Sequence, residues 1–271
     1  MFGNITLGQY YPVESPIHRL DPRTKILITI GFIVLLFAVE DVAGYVVLLV
    51  FTALIVALSK VPWRLVLRTL RPLIFIFLFT FALHVFTTKG EVLFALGPLE
   101  GTLQGVMQGI FIGMRLFLLI ATTSILTLTT SPISLTDGLE SLLGVFSPLG
   151  VPAHELAMMM TIALRFIPTL LEEADKIMKA QMARGADFQS GNVVQRAKSL
   201  VPLLVPLFVS AFRRADELAT AMEARCYRGG KGRTRMKKLE LRAADAIGVA
   251  VFAAFMAISL RWNALWTAIL R

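Results

Sequence analysis

Long apolar stretches separated by short polar connections make up most of this chain, a pattern typical of helices that cross a lipid bilayer. The first stretch has a clear helix start, because Asp21 is a favourable N-cap and Pro22 suits the first helical turn. The 19 residues from position 22 to 40 rise about 28 Å, enough to cross the hydrocarbon core. The pattern predicts an all-α integral membrane protein with about five spans: residues 22–40, 42–59, 72–88, 102–130 and 246–260, the last extending to about 268.

The charged residues between these stretches alternate in sign, as the positive-inside rule requires of successive loops. Three basic residues lie just before or at the start of the first span, two acidic residues lie at its far end, and four basic residues follow the second span. The last four recur every three or four positions and predict a short helix at the membrane surface: Lys60, Arg64, Arg68 and Arg71. This alternation predicts a cytoplasmic N-terminus and an external C-terminus.

The same rule divides the chain into three parts. We expect an N-terminal membrane domain of four transmembrane helices over residues 1–130, a cytoplasmic domain over 131–242 and a last transmembrane helix within 243–271. Residues 153–171 and 200–212 are apolar enough to be read as further spans, but two extra crossings would place basic residues outside. The second stretch is also short and contains two prolines. We therefore expect long cytoplasmic helices, between the fourth and last span, whose apolar halves touch the membrane.

Composition agrees with a membrane protein, since the 271 residues are 56% apolar with a mean hydropathy of +0.73. The net charge is +9, and residues 165–242 carry +8 of it, with 16 Lys or Arg against 8 Asp or Glu. Cytoplasmic position explains this excess, whereas nucleic-acid binding would require interleaved aromatic residues, and only Tyr227 adjoins the basic tail. We expect the lipid bilayer and no nucleic acid as a partner. The single cysteine, Cys226, excludes an internal disulfide.

Residue patterns that carry catalysis are nearly absent. No phosphate-binding glycine loop of the P-loop type occurs, and His154-Glu155 begins a zinc-helix motif that has Met158 where the second histidine belongs. The interiors of the predicted spans contain no Asp or Glu, since Glu40 lies at the very end of the first, and this argues against proton-coupled carriers and metal-dependent membrane enzymes. We expect no catalytic residue, metal site or cofactor in this chain.

The fourth span carries two features that suggest helix contacts. Glycines recur there at four-residue spacing and form a ridge on which another helix can approach closely: Gly101, Gly105, Gly109 and Gly113. The ridge packs either within this chain or against another membrane subunit. Arg115 is the one charged residue deep in a predicted span, and it contacts either a carboxylate or the carbonyls and water of its own bundle.

A short pattern occurs twice in the basic segment. Residues 172–185 and 213–226 align at a displacement of 41, and five of the 14 aligned positions are identical. Small residues recur every third position, so each helix presents a narrow small-residue face. Each copy closes on an alanine, an arginine and a third small residue: Ala183, Arg184 and Gly185, then Ala224, Arg225 and Cys226. Chance similarity between amphipathic helices is the alternative, but the shared ending favours a paired docking device.

Two aspartates also recur within the repeat. Asp175 and Asp216 occupy equivalent positions near the start of each copy. We expect them to cap the two helices or brace them against each other, with a direct partner contact as the alternative.

Three stretches together resemble a known family. The first is the lead 15–25, Ser-Pro-Ile-His-Arg-Leu-Asp-Pro-Arg-Thr-Lys; the second runs from Leu126 through Pro132 to Glu140; the third is the pair of arginine motifs. In this order along the full length, the chain resembles the transmembrane coupling subunit, or T component, of energy-coupling factor (ECF) transporters, the EcfT family, and its cobalt-transporter relative CbiQ.

The resemblance implies a subunit of an ABC-type uptake system in the plasma membrane of a prokaryote. A small membrane-embedded subunit would capture a vitamin or metal ion, and two cytoplasmic ATPases would bind ATP and Mg²⁺. Arg184 and Arg225 would each enter a groove of one ATPase. The second motif departs from the family's Ala-Arg-Gly, so we expect that helix to stop later, at Gly229-Gly230.

An autonomous secondary carrier is the alternative function. Such carriers usually show inverted repeats of their spans, with broken helices at the membrane midplane. The repeat found here lies in the basic segment instead, which favours the coupling subunit.

Overall fold

A computed structural model describes residues 10–39, 41–96, 99–186, 188, 192–229 and 239–269. They form nine α-helices and one small antiparallel hairpin. The chain divides into two compact units, residues 8–138 with 239–271 and residues 139–238. We call the first the membrane unit and the second the paired-helix unit. Within the described ranges the fold is mainly α-helical, as predicted.

The membrane unit contains the predicted spans in the predicted order. Its helices are α1 (Pro22–Ala38), α2 (Val42–Ser59), α3 (Trp63–Leu70), α4 (Ile74–Thr87), α5 (Leu103–Thr129) and α9 (Ala243–Ile269). A 3₁₀ turn, Arg71–Leu73, joins α3 to α4. A short helix does follow the second span, but it holds only Arg64 and Arg68 of the four predicted basic residues. Lys60 is the C-cap of α2, and Arg71 begins the 3₁₀ turn. The start of α1 is also as predicted, because the Asp21 carboxylate accepts a hydrogen bond from the backbone N–H of Arg23.

The core of this unit lies between α1, α2, α5 and α9. Phe32, Leu36, Tyr45 and Leu48 from α1 and α2 are fully buried there with Leu118 from α5. Many other apolar side chains face outward, among them Val34 and Phe75, which are 63% and 76% exposed. Such a surface is expected where lipid rather than water surrounds the helices.

Four helices are long and apolar enough to cross a membrane in the described part of the chain: Val42–Ser59, Trp63–Thr87, Leu103–Thr129 and Ala153–Ala183. A shorter apolar helix covers Ala243–Ser259, and α1 has 17 residues. The fourth long helix, Ala153–Ala183, contains residues 153–171, which we expected to be cytoplasmic. Length and composition therefore do not separate it from the predicted spans.

The loop expected between the third and fourth spans contains a β-hairpin. Strand β1 (Val92–Leu96) pairs antiparallel with β2 (Leu99–Thr102), and Thr102 then caps α5 by accepting from the N–H of Gly105. Gly101 lies in β2, so the prediction that it belongs to the helical ridge is wrong. The ridge on α5 consists of Gly105, Gly109 and Gly113.

Two of the family-typical stretches meet in the membrane unit around a buried lysine. Lys25 is 7% exposed, and its Nζ donates to Thr129 O (2.9 Å), Thr130 Oγ1 (3.3 Å) and His18 O (3.3 Å). The chain just before the lead is held at the same place, because Tyr11 N–H donates to Leu128 O at 2.9 Å. The lead and the end of α5 therefore form one packed structure.

A buried aspartate that the sequence analysis did not single out fixes the start of α9. Asp245 is 2% exposed, and its carboxylate accepts from the backbone N–H groups of Asp21 (2.6 Å) and Arg242 (2.8 Å). Helix α9 begins at Ala243, three residues before the span predicted from position 246, so this carboxylate lies in its first turn. Asp245 and Lys25 are therefore buried charged residues in the helices of the membrane unit, whereas Arg115 is half-buried.

The paired-helix unit is built on two long helices. Helix α6 (Pro132–Leu143) leads into it, and α7 (Ala153–Ala183) and α8 (Val193–Ala224) have 31 and 32 residues. Helix α8 continues through Pro202 and Pro206, and α7 continues through Pro168. At 1.5 Å per residue, each helix is about 45 Å long.

Candidate functional site

The two repeat copies end in the same backbone structure. Helix α7 ends at Ala183 and α8 at Ala224, so Arg184 and Arg225 are both C-cap residues. Past the first cap, Gly185 N–H donates to Met182 O and Ala186 N–H to Gln181 O, each at 3.0 Å. Past the second, Cys226 N–H donates to Glu223 O at 2.8 Å and Tyr227 N–H to Met222 O at 3.0 Å. Both ends are Schellman motifs, and each bond has its counterpart 41 residues later.

The third residue of each motif adopts the left-handed backbone conformation that closes the Schellman motif. Gly185 has φ +87° and Cys226 has φ +57°. The expectation that α8 stops later, at Gly229-Gly230, is therefore wrong. Cysteine takes the glycine conformation at this position, although a side chain there costs about 1 kcal/mol relative to glycine.

The two motif arginines are exposed. Arg184 and Arg225 both lie on the surface of the paired-helix unit, as do the alanines that precede them. Because a Schellman motif fixes the backbone up to the C-cap residue and beyond, each guanidinium starts from a rigid base. An arginine always carries its charge and offers five donors to a carboxylate or to carbonyl groups. The geometry is that of two equivalent, exposed arginine-capped helix ends.

Polar contacts of Glu173 brace the two helices at matching positions of the repeat. The Glu173 carboxylate on α7 accepts from Arg214 on α8, with Nη2 and Nε at 3.1 and 3.2 Å, and from the Ser210 hydroxyl. Glu173 and Arg214 are 41 residues apart, so they are the same position of the two copies. The motif arginines follow 11 residues later in each helix, about 16 Å along its axis.

Asp175 does not make the brace that we expected of it. Its carboxylate pairs with Lys179, four residues along the same helix, at 2.6 Å. The backbone carbonyl of Asp216, its equivalent on α8, accepts from the Thr220 hydroxyl, as within an ordinary helical turn. Glu173, which the sequence analysis did not single out, takes the bracing role because it lies on the face of α7 that meets α8.

A cleft lies between the first half of α7 and the end of α8, with a volume of about 580 Å³. Three arginines line it: Arg165 from α7, the motif residue Arg225, and Arg228 beyond the end of α8. Apolar side chains of both helices complete the wall, including Met158, Ile162, Leu218 and Met222. The second arginine-capped end is thus part of a basic, partly apolar cleft.

In the membrane unit, the glycine ridge packs mainly against the unit's own helix α4. A Cβ at Gly105 would lie 2.5 Å from the carbonyl oxygen of His84, and one at Gly109 would lie 2.8 Å from the ring of Phe81. A Cβ at Gly113 would meet no described atom within 4 Å. Two of the three ridge glycines therefore serve helix packing inside the chain, and Gly113 alone faces open space.

Arg115 is held by aromatic side chains of the same unit. Its Nε donates to the Tyr45 hydroxyl at 2.8 Å, and its guanidinium carbon lies 5.2 Å from the centre of the Phe37 ring. Neither the carboxylate nor the backbone carbonyls that we considered is the partner in these contacts. A phenol and a ring face contact the guanidinium within the bundle instead.

Comparison with known proteins agrees with this architecture. The family model for CbiQ, described as a cobalt transport protein, matches residues 13–236. The chain is 63% identical over 256 residues to the energy-coupling factor transporter transmembrane protein EcfT of Thermosediminibacter oceani, covering 94% of each chain. It is 56% identical to the protein of the same name from Acidaminococcus fermentans, covering 97% of this chain and 99% of the relative. The EcfT protein of Bacillus subtilis is 51% identical over 240 residues, 88% of this chain and 91% of the relative.

These matches extend over the spans, the lead and both arginine motifs. The names of the relatives describe transmembrane components of a transporter, which is a non-enzymatic role. Together they show that the chain belongs to the EcfT family of energy-coupling factor transporter transmembrane proteins, as a multi-pass membrane protein of a prokaryotic transporter.

Proposed function

We propose that this T component couples two cytoplasmic ATPases to a small substrate-binding membrane subunit that takes up a vitamin or a metal ion. The observation that carries the proposal is the duplicated arginine cap, because Arg184 and Arg225 close two helices with the same hydrogen bonds. A pair of similar ATPases presents two similar grooves, so a single chain that engages both needs two similar ends. ATP and Mg²⁺ bind to the ATPases and not to this chain.

The brace supports the same proposal mechanically. Glu173 and Arg214 fasten α7 to α8 at one point, and both motif arginines lie the same number of residues beyond it. A movement of one end against an ATPase is therefore passed through this point to the other helix. Coupling of nucleotide hydrolysis to the membrane requires this kind of rigid connection.

The test removes both guanidinium groups from the assembled transporter. Arg184→Ala with Arg225→Ala should release the ATPases during purification and abolish ATP-driven uptake, since losing a buried charged partner costs about 2–5 kcal/mol at each end. Arg213→Ala is the matched control, because Arg213 is an exposed arginine of α8 outside the motif. Normal ATPase binding and uptake in the double variant would refute the docking role. Uptake by the chain alone, without ATP, would favour the secondary carrier instead.

The cytoplasmic orientation of the two ends is part of the proposal. The single cysteine, Cys226, is exposed and lies at the second end, so it is a natural label for its own side of the membrane. A membrane-impermeant maleimide should label it in inside-out vesicles and not in intact cells. Labelling in intact cells would place this end outside and overturn the proposal.

Contact with the substrate-binding subunit is proposed at the open end of the glycine ridge. Gly113 lines an apolar groove of about 590 Å³ with α4 residues such as Ile74 and Phe77. A helix of another membrane subunit can approach closely at a glycine. Gly113→Leu should leave the protein folded but weaken retention of the substrate-binding subunit, whereas unchanged retention would remove this contact from the proposal.

A further inference from the structure

The two arginine-capped ends differ in charge although their backbones match. Three arginines line the cleft at the end of α8, namely Arg165, Arg225 and Arg228, and no acidic side chain lines it among the described residues. The counterparts of Arg165 and Arg228 at the 41-residue displacement are Pro206 and Asp187, the latter outside the described residues. By sequence, therefore, only the α8 end gathers three guanidinium groups.

We propose that the α8 end is a three-arginine receptor for a carboxylate-bearing segment of an ATPase, with Arg165 of α7 as a binding residue. The proposal rests on the docking role described above and deepens it. Three like charges around one cleft repel each other, and a partner carboxylate relieves this repulsion while accepting paired N–H donors.

The remaining walls of the cleft fit a polypeptide. Met158, Ile162 and Met222 offer apolar contacts, and methionine adapts to side chains of different shape. Arg225 caps one of two helix ends with the same backbone structure, and the docking role assigns a protein to both ends. The occupant of the cleft is therefore a protein. An anionic phospholipid is the competing occupant, and the experiment separates it from the ATPase.

Binding of the ATPase pair to the T component in nanodiscs measures the role of Arg165 directly. Arg165→Gln and Arg228→Gln should each weaken binding about tenfold and flatten its salt dependence. Arg213→Gln removes the same charge from an exposed position of α8 outside the cleft, and its affinity should stay within about twofold of wild type. Equal unfolding midpoints for the three variants establish that folding is unaffected.

A double-mutant cycle shows whether Arg165 and Arg225 hold the same group. Their combined effect should be smaller than the product of the single effects, because the second loss removes an interaction that is already broken. Arg165→Gln combined with Arg184→Gln should be multiplicative, since these residues belong to different ends. Multiplicative behaviour in both cycles would overturn the shared receptor.

The remaining outcomes separate the two proposals. If Arg225→Gln and Arg184→Gln weaken binding but Arg165→Gln behaves like Arg213→Gln, the receptor is wrong and the docking role stands. If neither motif variant weakens binding, the docking role itself fails. If Arg165→Gln lowers binding of phosphatidylglycerol and leaves ATPase binding unchanged, the cleft is a lipid site and the receptor is wrong.

A photo-cross-linker attached to Cys226 before assembly identifies the occupant independently. Cys226 lines the same cleft and is exposed in the free chain. The cross-linked ATPase peptide should contain Asp or Glu, and the yield should fall in Arg165→Gln. Cross-links to lipid alone, or to a peptide without acidic residues, would contradict the proposal.

Discussion

Glu173 and Arg214, joined by an ion pair with 3.1 Å between Oε2 and Nη2, occupy the same position in the two copies of the repeat. Contact between equivalent positions means that α7 and α8 meet at the same point along each copy. Each motif arginine then lies the same number of residues beyond this point, and both have the same backbone structure. The pair is partly exposed, so its own contribution to stability is only about 1 kcal/mol.

The brace should matter more for coupling than for folding. Arg214→Glu places two carboxylates opposite each other and should lower ATP-driven uptake several-fold, while the unfolding midpoint changes little. Exchanging the charges with Glu173→Arg and Arg214→Glu together should restore most of the uptake. Asp175→Asn is the control, because it breaks an ion pair within α7 alone. No rescue in the exchanged variant would show that the pair does not act as a brace.

The left-handed residues after the two caps predict opposite responses to substitution. Cys226→Gly relieves a side chain held at φ +57° and should raise the free energy of unfolding by up to about 1 kcal/mol. Gly185→Ala introduces a side chain at φ +87° and should lower it by about 1 kcal/mol. Denaturant unfolding in detergent measures both. The same sign for both substitutions would contradict the matched caps.

The glycine ridge should tolerate a side chain at one end only. Gly105→Ala forces a Cβ to 2.5 Å from the His84 carbonyl and 2.9 Å from Val85 Cα, so it should destabilise the protein by about 1–3 kcal/mol. Gly113→Ala should be close to neutral, because its Cβ enters open space. Thermal unfolding compares the two variants directly. Equal losses would mean that both positions are packed.

The lead segment predicts a pH dependence through His18. Its Nε2 donates to Tyr11 O at 3.0 Å, so Nδ1 of the neutral ring accepts from the Ser15 hydroxyl at 2.7 Å. Burial, together with the nearby charge of Lys25, lowers the pKa of His18 from 6.5. As the pH falls, His18 is therefore protonated in the unfolded chain before it is protonated in the folded protein. The contribution of the neutral ring to the free energy of unfolding is complete above pH 6.5 and declines below it.

Unfolding midpoints at pH 7.5 and 5.5 test this sign. The wild type should lose more stability between the two values than His18→Asn, which keeps hydrogen-bonding groups but does not titrate. An equal loss in the two proteins would show that His18 does not contribute to the dependence.

Local sequence patterns were sufficient to predict the elements that are determined by residues close together in the chain. The apolar stretches predicted the spans, and Asp21 with Pro22 predicted the start of α1. The repeat predicted two similar helices that carry the arginine motifs, and both helices end at these motifs with the same hydrogen bonds, although a later stop was expected for α8. The family resemblance is likewise confirmed by the relatives.

Contacts between distant residues were not predictable in the same way. The partner of Arg115 is Tyr45, 70 residues earlier, and nothing in either neighbourhood specifies this pairing. The hairpin was missed because its first strand is a short apolar run, and Gly101 was assigned to the ridge from its spacing alone. Identical positions of the repeat pointed to Asp175, whereas the brace uses a position where the copies differ.

That difference makes the contact between the two helices attractive. A perfect repeat would put two glutamates, or two arginines, face to face at the meeting point, where like charges repel. One acidic and one basic side chain attract each other instead. The two copies pair favourably at this point because they are not identical where they touch.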